Sequence, residues 1–111
     1  IEDYEGVQNA DDIARVKGVD VLFIGPSDLK HDLFIRLGEN KNAYREALQN
    51  VLIAARRHGK LAGILIQNID EVEEYNKMGF SRVAVSSDIA ILRNGYNNIM
   101  LKYNLLKKND S

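Results

Sequence analysis

The chain has no cysteine among its 111 residues, a single proline and only two histidines. Without cysteine there is no disulfide, no thiolate nucleophile and no zinc–thiolate site, and a reducing compartment is compatible. An excess of one charge is also missing, since acids and bases are mixed along the chain and the formal net charge is −1. That excludes the basic stripe of a nucleic-acid binder. No apolar run approaches the roughly 20 residues a membrane span needs, and no signal-peptide pattern is visible. The cytoplasm is the expected location. With 45% hydrophobic and 28% charged residues, the composition is that of an ordinary globular domain with a modest core.

What is present is a repeated local grammar: a helical pattern, a glycine, then a short apolar run. Gly18 precedes VDVLFIG, Gly59 precedes KLAGILI, and Gly79 precedes FSRVAVS. A glycine just past a helix supplies a left-handed C-terminal cap, and the run behind it reads as a buried strand. Val21-Leu22-Phe23-Ile24 is apolar without alternation, the pattern of a parallel strand covered on both faces. Between the strands, AYREALQNVLIAARRHG places Leu48, Val51, Leu52 and Ala55 at helical spacing. In NIDEVEEYNKMG, Asn68 and Glu71 are spaced as a capping box, and a short helix is expected near Ala10 to Val16. Strand alternating with helix predicts a parallel α/β architecture with right-handed crossovers. The chain opens at Ile1 without methionine or a capping signal, and is expected to be a piece of a longer protein.

The last segment differs. After Asp88, the expected N-cap, Ile89, Leu92, Tyr96, Ile99, Tyr103 and Leu106 form one stripe, while Ile91, Met100, Leu101 and Leu105 add apolar surface elsewhere. A helix covering one sheet face needs only a single stripe. Simple core packing, contact with a second subunit and contact with a missing part of the domain are the open alternatives.

In parallel α/β folds, ligands bind at the carboxyl ends of the strands. Those ends read Glu2-Asp3, Gly25-Pro26-Ser27-Asp28, Leu65-Ile66-Gln67-Asn68 and Ser86-Ser87-Asp88. Neighbouring strands lie about 4.8 Å apart, so Glu2 and Asp28 are candidates to share one divalent cation. Carboxylate oxygens with open water positions suit Mg²⁺ or Mn²⁺. The competing reading makes Asp28 a cap on the following turn and Glu2 a surface residue. Gly25 lets backbone N–H groups approach an anion. His31 is a possible further ligand or a solvated surface residue, and His58 suits the last turn of a helix. Ser86 and Ser87 fit either a pocket lining or a cap. No nucleophile elbow and no phosphate-loop lysine motif is present.

Taken together, IED, GVDVLFIGPSDL, HGKLAGILI and GFSRVAVSSDIAILRNG resemble the HpcH/HpaI family of metal-dependent 2-oxo acid aldolases. The resemblance runs from Ile1 to about Tyr103. It implies the C-terminal half of a (β/α)₈ barrel of the phosphoenolpyruvate/pyruvate superfamily. A whole barrel needs about 250 residues, so the catalytic histidine, a substrate-orienting arginine and a glutamine before the Ile-Glu motif are expected upstream. The family's metal-binding glutamate falls on Glu2 and its metal-binding aspartate on Asp28. Gly25, Pro26, Ser27 and Asp28 would form the pyruvate-carboxylate site through the backbone N–H groups of Ser27 and Asp28. Leu65 would pack near the substrate, and Ser87 would lie close to the pyruvate methyl. Many members have a glycine-containing loop after the aspartate; here the run is KHDLFIRLGENKN, with Phe34 and Ile35 in that region.

The activity so implied is a class II aldolase, using Mg²⁺ or Mn²⁺ (Co²⁺ in some cases), that cleaves a 4-hydroxy-2-oxo acid to pyruvate and an aldehyde. The segment 88–108 would be a C-terminal helix exchanged between subunits of a homo-oligomer, a trimer or hexamer. Two alternatives stand beside it: a non-catalytic half-barrel that binds or scaffolds, and an acyl-CoA lyase like the citrate lyase β subunit. No residue suggests a CoA site.

Overall fold

The computed structural model describes residues 1–109. Its centre is a three-stranded parallel sheet in the order β1-β2-β3, with β1 at Val21–Ile24, β2 at Leu61–Ile66 and β3 at Arg82–Val85. Ile24 lies opposite Ile64, and Ile64 opposite Val83. Helices alternate with these strands: α1 (Tyr4–Gln8), α2 (Ala10–Arg15), α3 (Pro26–Leu37), α4 (Ala43–Arg57), α5 (Val72–Met78) and α6 (Asp88–Asn109). The parallel α/β expectation is met.

Burial corrects one part of it. Leu22, Ile24, Ala62, Ile64 and Ile66 are buried against the helices, whereas Phe23 and Leu61, on the opposite face, are exposed. The strands are therefore covered on one face only, because the helices α1 to α4 pack on a single side. A continuous apolar run remains the right sequence for strands that need apolar partners on both sides. On the open face the Phe23 ring lies across Gly63, where a methyl group would sit 2.5 Å from the ring's Cδ2. Glycine there makes room for the aromatic side chain.

The core is built where the helical spacing predicted it. Within α4, Ala47, Leu48, Val51, Ala54 and Ala55 are buried against β1 and β2. Full burial of a residue such as Val51 or Ile64 contributes about 1.5–3 kcal/mol. Behind α4, Gly59 turns the chain with φ 66°, and behind α5, Gly79 does so with φ 122°, as the glycine grammar required. The capping box closes as expected: Asn68 Oδ1 accepts the Asp70 N–H at 3.0 Å, and Glu71 Oε2 accepts the Asn68 N–H at 3.2 Å. The first helical stretch is longer than the sequence indicated and broken at Asn9. Asp3 starts it by accepting the Gly6 N–H at 2.6 Å. Asp11 then ties α2 to the end of α4, receiving Arg57 Nη1 at 2.8 Å and His58 Nε2 at 3.0 Å.

α6 stands apart. None of its residues is buried, and Tyr96 (68%), Ile89 (64%) and Leu105 (64%) are among the most exposed apolar side chains of the chain. The described residues extend over 64 × 30 × 22 Å, a shape too elongated for a helix folded back on its own sheet. Simple core packing within this chain is thereby excluded. Its cap also differs from expectation. Ser87 Oγ accepts the Ala90 N–H at 3.2 Å and the Ser87 carbonyl accepts the Ile91 N–H at 2.9 Å, so Ser87 occupies the N-cap position expected for Asp88. Asp88 instead binds the adjacent Ile89 N–H at 2.8 Å. Among the described residues, no helix is long and apolar enough to cross a membrane.

Candidate functional site

The site forms where β1 ends. The backbone nitrogen of Ile1 donates to the Phe23 carbonyl at 2.7 Å, and the Gly25 N–H donates to the Ile1 carbonyl at 3.1 Å. One residue bonded to two residues two apart is the signature of a parallel ladder. Ile1 thus runs beside the end of β1, and Glu2 follows it at the mouth of the sheet.

Gly25 is the N-cap of α3, with φ −97° and ψ 95°, and Pro26 is the first helical residue. Proline suits that position, because its fixed φ matches the helix and its missing N–H has no intrahelical partner to lose. The first helical bond is made by the Leu29 N–H, which reaches the Gly25 carbonyl at 3.1 Å. Between these two residues, the Ser27 and Asp28 N–H groups are left as open donors at the positive end of the helix dipole. The capping reading of Asp28 is corrected here: it is the third residue of the helix, not its cap, and α3 has no side-chain cap hydrogen bond. A carboxylate in the first turn still suits the dipole.

A cleft of about 500 Å³ opens over this junction, lined by Glu2, Gly25, Pro26, Ser27 and Asp28, by Leu65, Ile66 and Gln67 at the end of β2, and by Lys30, Glu71 and Tyr75. Glu2, Gly25, Pro26, Ser27, Asp28 and Leu65 of the candidate site residues share this cleft. His31, Ser86 and Ser87 do not line it, and the Ser87 hydroxyl is engaged at the start of α6. Glu2 and Asp28 are both exposed, and among the described residues neither carboxylate has a hydrogen-bond or ion-pair partner. No cluster of three or more His, Cys, Asp or Glu side chains suited to a metal occurs among the described residues. The pair therefore offers two oxygen ligands, with solvent left to complete a coordination shell.

Neither histidine takes part. His31 is exposed and outside the cleft lining, while His58 ends α4 and contacts Asp11. Lys30, Glu71 and Tyr75 were not singled out for the site from sequence. The Lys30 ammonium lies 4.5 Å from the centre of the Tyr44 ring, a distance at which a cation is attracted to the aromatic face. The Tyr44 and Tyr75 hydroxyls are 3.4 Å apart. Burial, helped by this contact with Tyr75, raises the Tyr44 pKa well above the usual phenol range. Glu71 had a usable signal, since the capping box put it beside the β2 end. Lys30 had none.

Comparisons with known proteins give the family. Over 94 residues the chain is 40% identical to a 5-keto-4-deoxy-D-glucarate aldolase of Enterobacter sp. (strain 638), a match covering 84% of this chain and 36% of that protein. The chain thus spans little more than a third of the length of such curated relatives. Among solved structures, it is similar to an HpcH/HpaI aldolase/citrate lyase family protein from Burkholderia cenocepacia J2315, with a TM-score of 0.80 and 28% identity, covering 94% of this chain and 40% of that one. A citrate lyase β subunit from M. tuberculosis, complexed with oxaloacetate and magnesium, shares the fold with a TM-score of 0.64 at 20% identity, covering 78% of this chain and 45% of that one. The family model for HpcH/HpaI aldolase/citrate lyase matches residues 1–95, the span that holds all three strands and the cleft, and the chain belongs to that family.

Proposed function

We propose that the whole protein is a divalent-metal-dependent aldolase that cleaves a 4-hydroxy-2-oxo acid to pyruvate and an aldehyde. The observation that supports this most is the cleft itself, where two partnerless carboxylates, Glu2 and Asp28, stand beside the open N–H donors of Ser27 and Asp28. Hard oxygen donors of this kind suit Mg²⁺ or Mn²⁺, which keep several waters when bound by only one or two carboxylates. Glu2 and Asp28 would hold the ion, and it would supply Lewis-acid stabilisation of negative charge developing on a substrate oxygen.

The chain's own residues do the rest of the positioning. The Ser27 and Asp28 N–H groups receive the substrate carboxylate, at a helix end whose dipole favours an anion. Leu65, half-buried in the cleft wall, gives the pyruvate moiety an apolar side to lie against. In cleavage, a base takes the 4-hydroxyl proton, the C3–C4 bond breaks, and its electron pair passes to the pyruvate fragment while the aldehyde leaves. A proton then returns to C3. The base belongs to the remainder of the protein. α6, with its uncovered apolar surface, is the element we assign to exchange between subunits of a trimer or hexamer.

The test is Asp28→Asn in the whole protein. Pyruvate release from a 4-hydroxy-2-oxo acid is expected to fall by about 100-fold or more, and Mn²⁺ binding, followed by electron paramagnetic resonance, to weaken in parallel. Turnover that is unchanged in this variant and indifferent to chelator would overturn the assignment.

A further inference from the structure

Gly25 is not needed for the conformation it adopts. Its φ of −97° and ψ of 95° lie in the extended region open to every residue. Nor does its N–H serve an anion, since that group donates to the Ile1 carbonyl at 3.1 Å. What glycine does provide is space. A methyl group on Gly25 would lie 2.8 Å from Glu2 Oε1, 3.0 Å from its Cγ and 3.3 Å from its Cδ. The Glu2 side chain is folded directly over the α-carbon of Gly25, so that its carboxylate sits on the strand–helix junction, in the cleft that Asp28 also lines.

We infer that Gly25 is a positioning residue for Glu2: the missing side chain is the seat in which the Glu2 carboxylate rests, and it sets that acid's place in the cleft shared with Asp28. The neighbour that alanine would displace is the end of a flexible, exposed side chain. Backbone and core are not in the way. Alanine at this position is thus expected to disturb the acid pair selectively and to leave the fold alone. The inference rests on the metal-site reading of Glu2 and Asp28, and it gives Gly25 a role toward the ion that acts through Glu2.

A double-mutant cycle in the whole protein tests it, with Mn²⁺ affinity read by electron paramagnetic resonance and stability by thermal unfolding of the metal-free protein. Glu2→Gln alone should weaken Mn²⁺ binding at least tenfold. Gly25→Ala alone should weaken it severalfold to tenfold without lowering the unfolding midpoint of the metal-free protein. In the Glu2→Gln background, Gly25→Ala should add nothing, because the carboxylate that it displaces is already gone. Equal additional loss in both backgrounds would overturn the inference, as would wild-type affinity in Gly25→Ala. A shortened side chain gives a further arm. Glu2→Asp no longer reaches over Gly25, so Gly25→Ala should have little effect beside it. If neither Glu2→Gln nor Asp28→Asn changes Mn²⁺ binding, the metal-site reading itself fails and takes this inference with it. Normal losses in those two variants with no cycle coupling remove only the role of Gly25.

Discussion

α4 and α6 are both helices with apolar stripes, yet they meet opposite fates. α4 lays Ala47, Leu48, Val51, Ala54 and Ala55 on the sheet and buries them. α6 buries none of its residues. The difference lies in side-chain size and distribution. α4 presents small residues on one face, which let the helix approach the strands closely. α6 carries large side chains around much of its circumference, including Ile91, Tyr96, Ile99, Met100, Leu101 and Leu105. A surface of that kind is wider than one sheet face can cover. The first helix holds the chain's own core together, and the second leaves its apolar area exposed.

The sharpest way to break this contrast is a charge. Val51→Asp places an unpaired carboxylate at a position that is 0% exposed, and the cost of such burial, above about 4 kcal/mol, exceeds what a small core can bear. Loss of the cooperative unfolding transition by circular dichroism is the expected result. Leu101→Asp, at 63% exposure, should keep the far-ultraviolet spectrum and instead shift the sedimentation profile of the whole protein to smaller species. If Leu101→Asp also unfolds the protein as a monomer, the comparison between the helices collapses. A milder variant is Ile64→Ala, which deletes fully buried methyl groups between the sheet and α4. It should cost about 2–5 kcal/mol in urea unfolding.

The smallest expected effect concerns the tie between α2 and α4. The hydrogen bond from His58, followed by those from Arg15 and Arg57, holds the Asp11 carboxyl below its ordinary value of 3.8. The unfolded chain therefore takes up the proton first as pH falls. Stability from this group is complete above the ordinary value and is lost as pH drops through the depressed folded value. Thermal midpoints measured below about pH 4 should fall more steeply for wild type than for Asp11→Asn, with α6 contributing nothing to the difference.

Periodicity and glycine placement made the sheet and α4 readable before any coordinates, because both report directly on which face meets the core. The capping box at Asn68 and Glu71 was readable for the same reason: its chemistry is confined to four consecutive residues. Asp28 was harder. Residues Gly25 to Asp28 each suit a helix start, and only the backbone shows that Gly25 holds the cap while Asp28 is the third residue of the first turn. Ser87 and Asp88 posed a similar ambiguity, by one position. Lys30 and Tyr75 were out of reach, since their place in the cleft depends on how α3 and α5 splay around β1 and β2. The one-sided covering of the strands was invisible too, because apolar runs record what a strand needs and not what this stretch of chain supplies.

Pro26 has a consequence that lies in time more than in space. Its ring fixes the backbone rotation at the start of α3 when the helix forms, so the Ser27 and Asp28 donors are aimed before any anion arrives. The disorder that a looser turn would surrender at each encounter is here surrendered once, on folding. A chain with a single proline has put it where two backbone donors must hold one orientation.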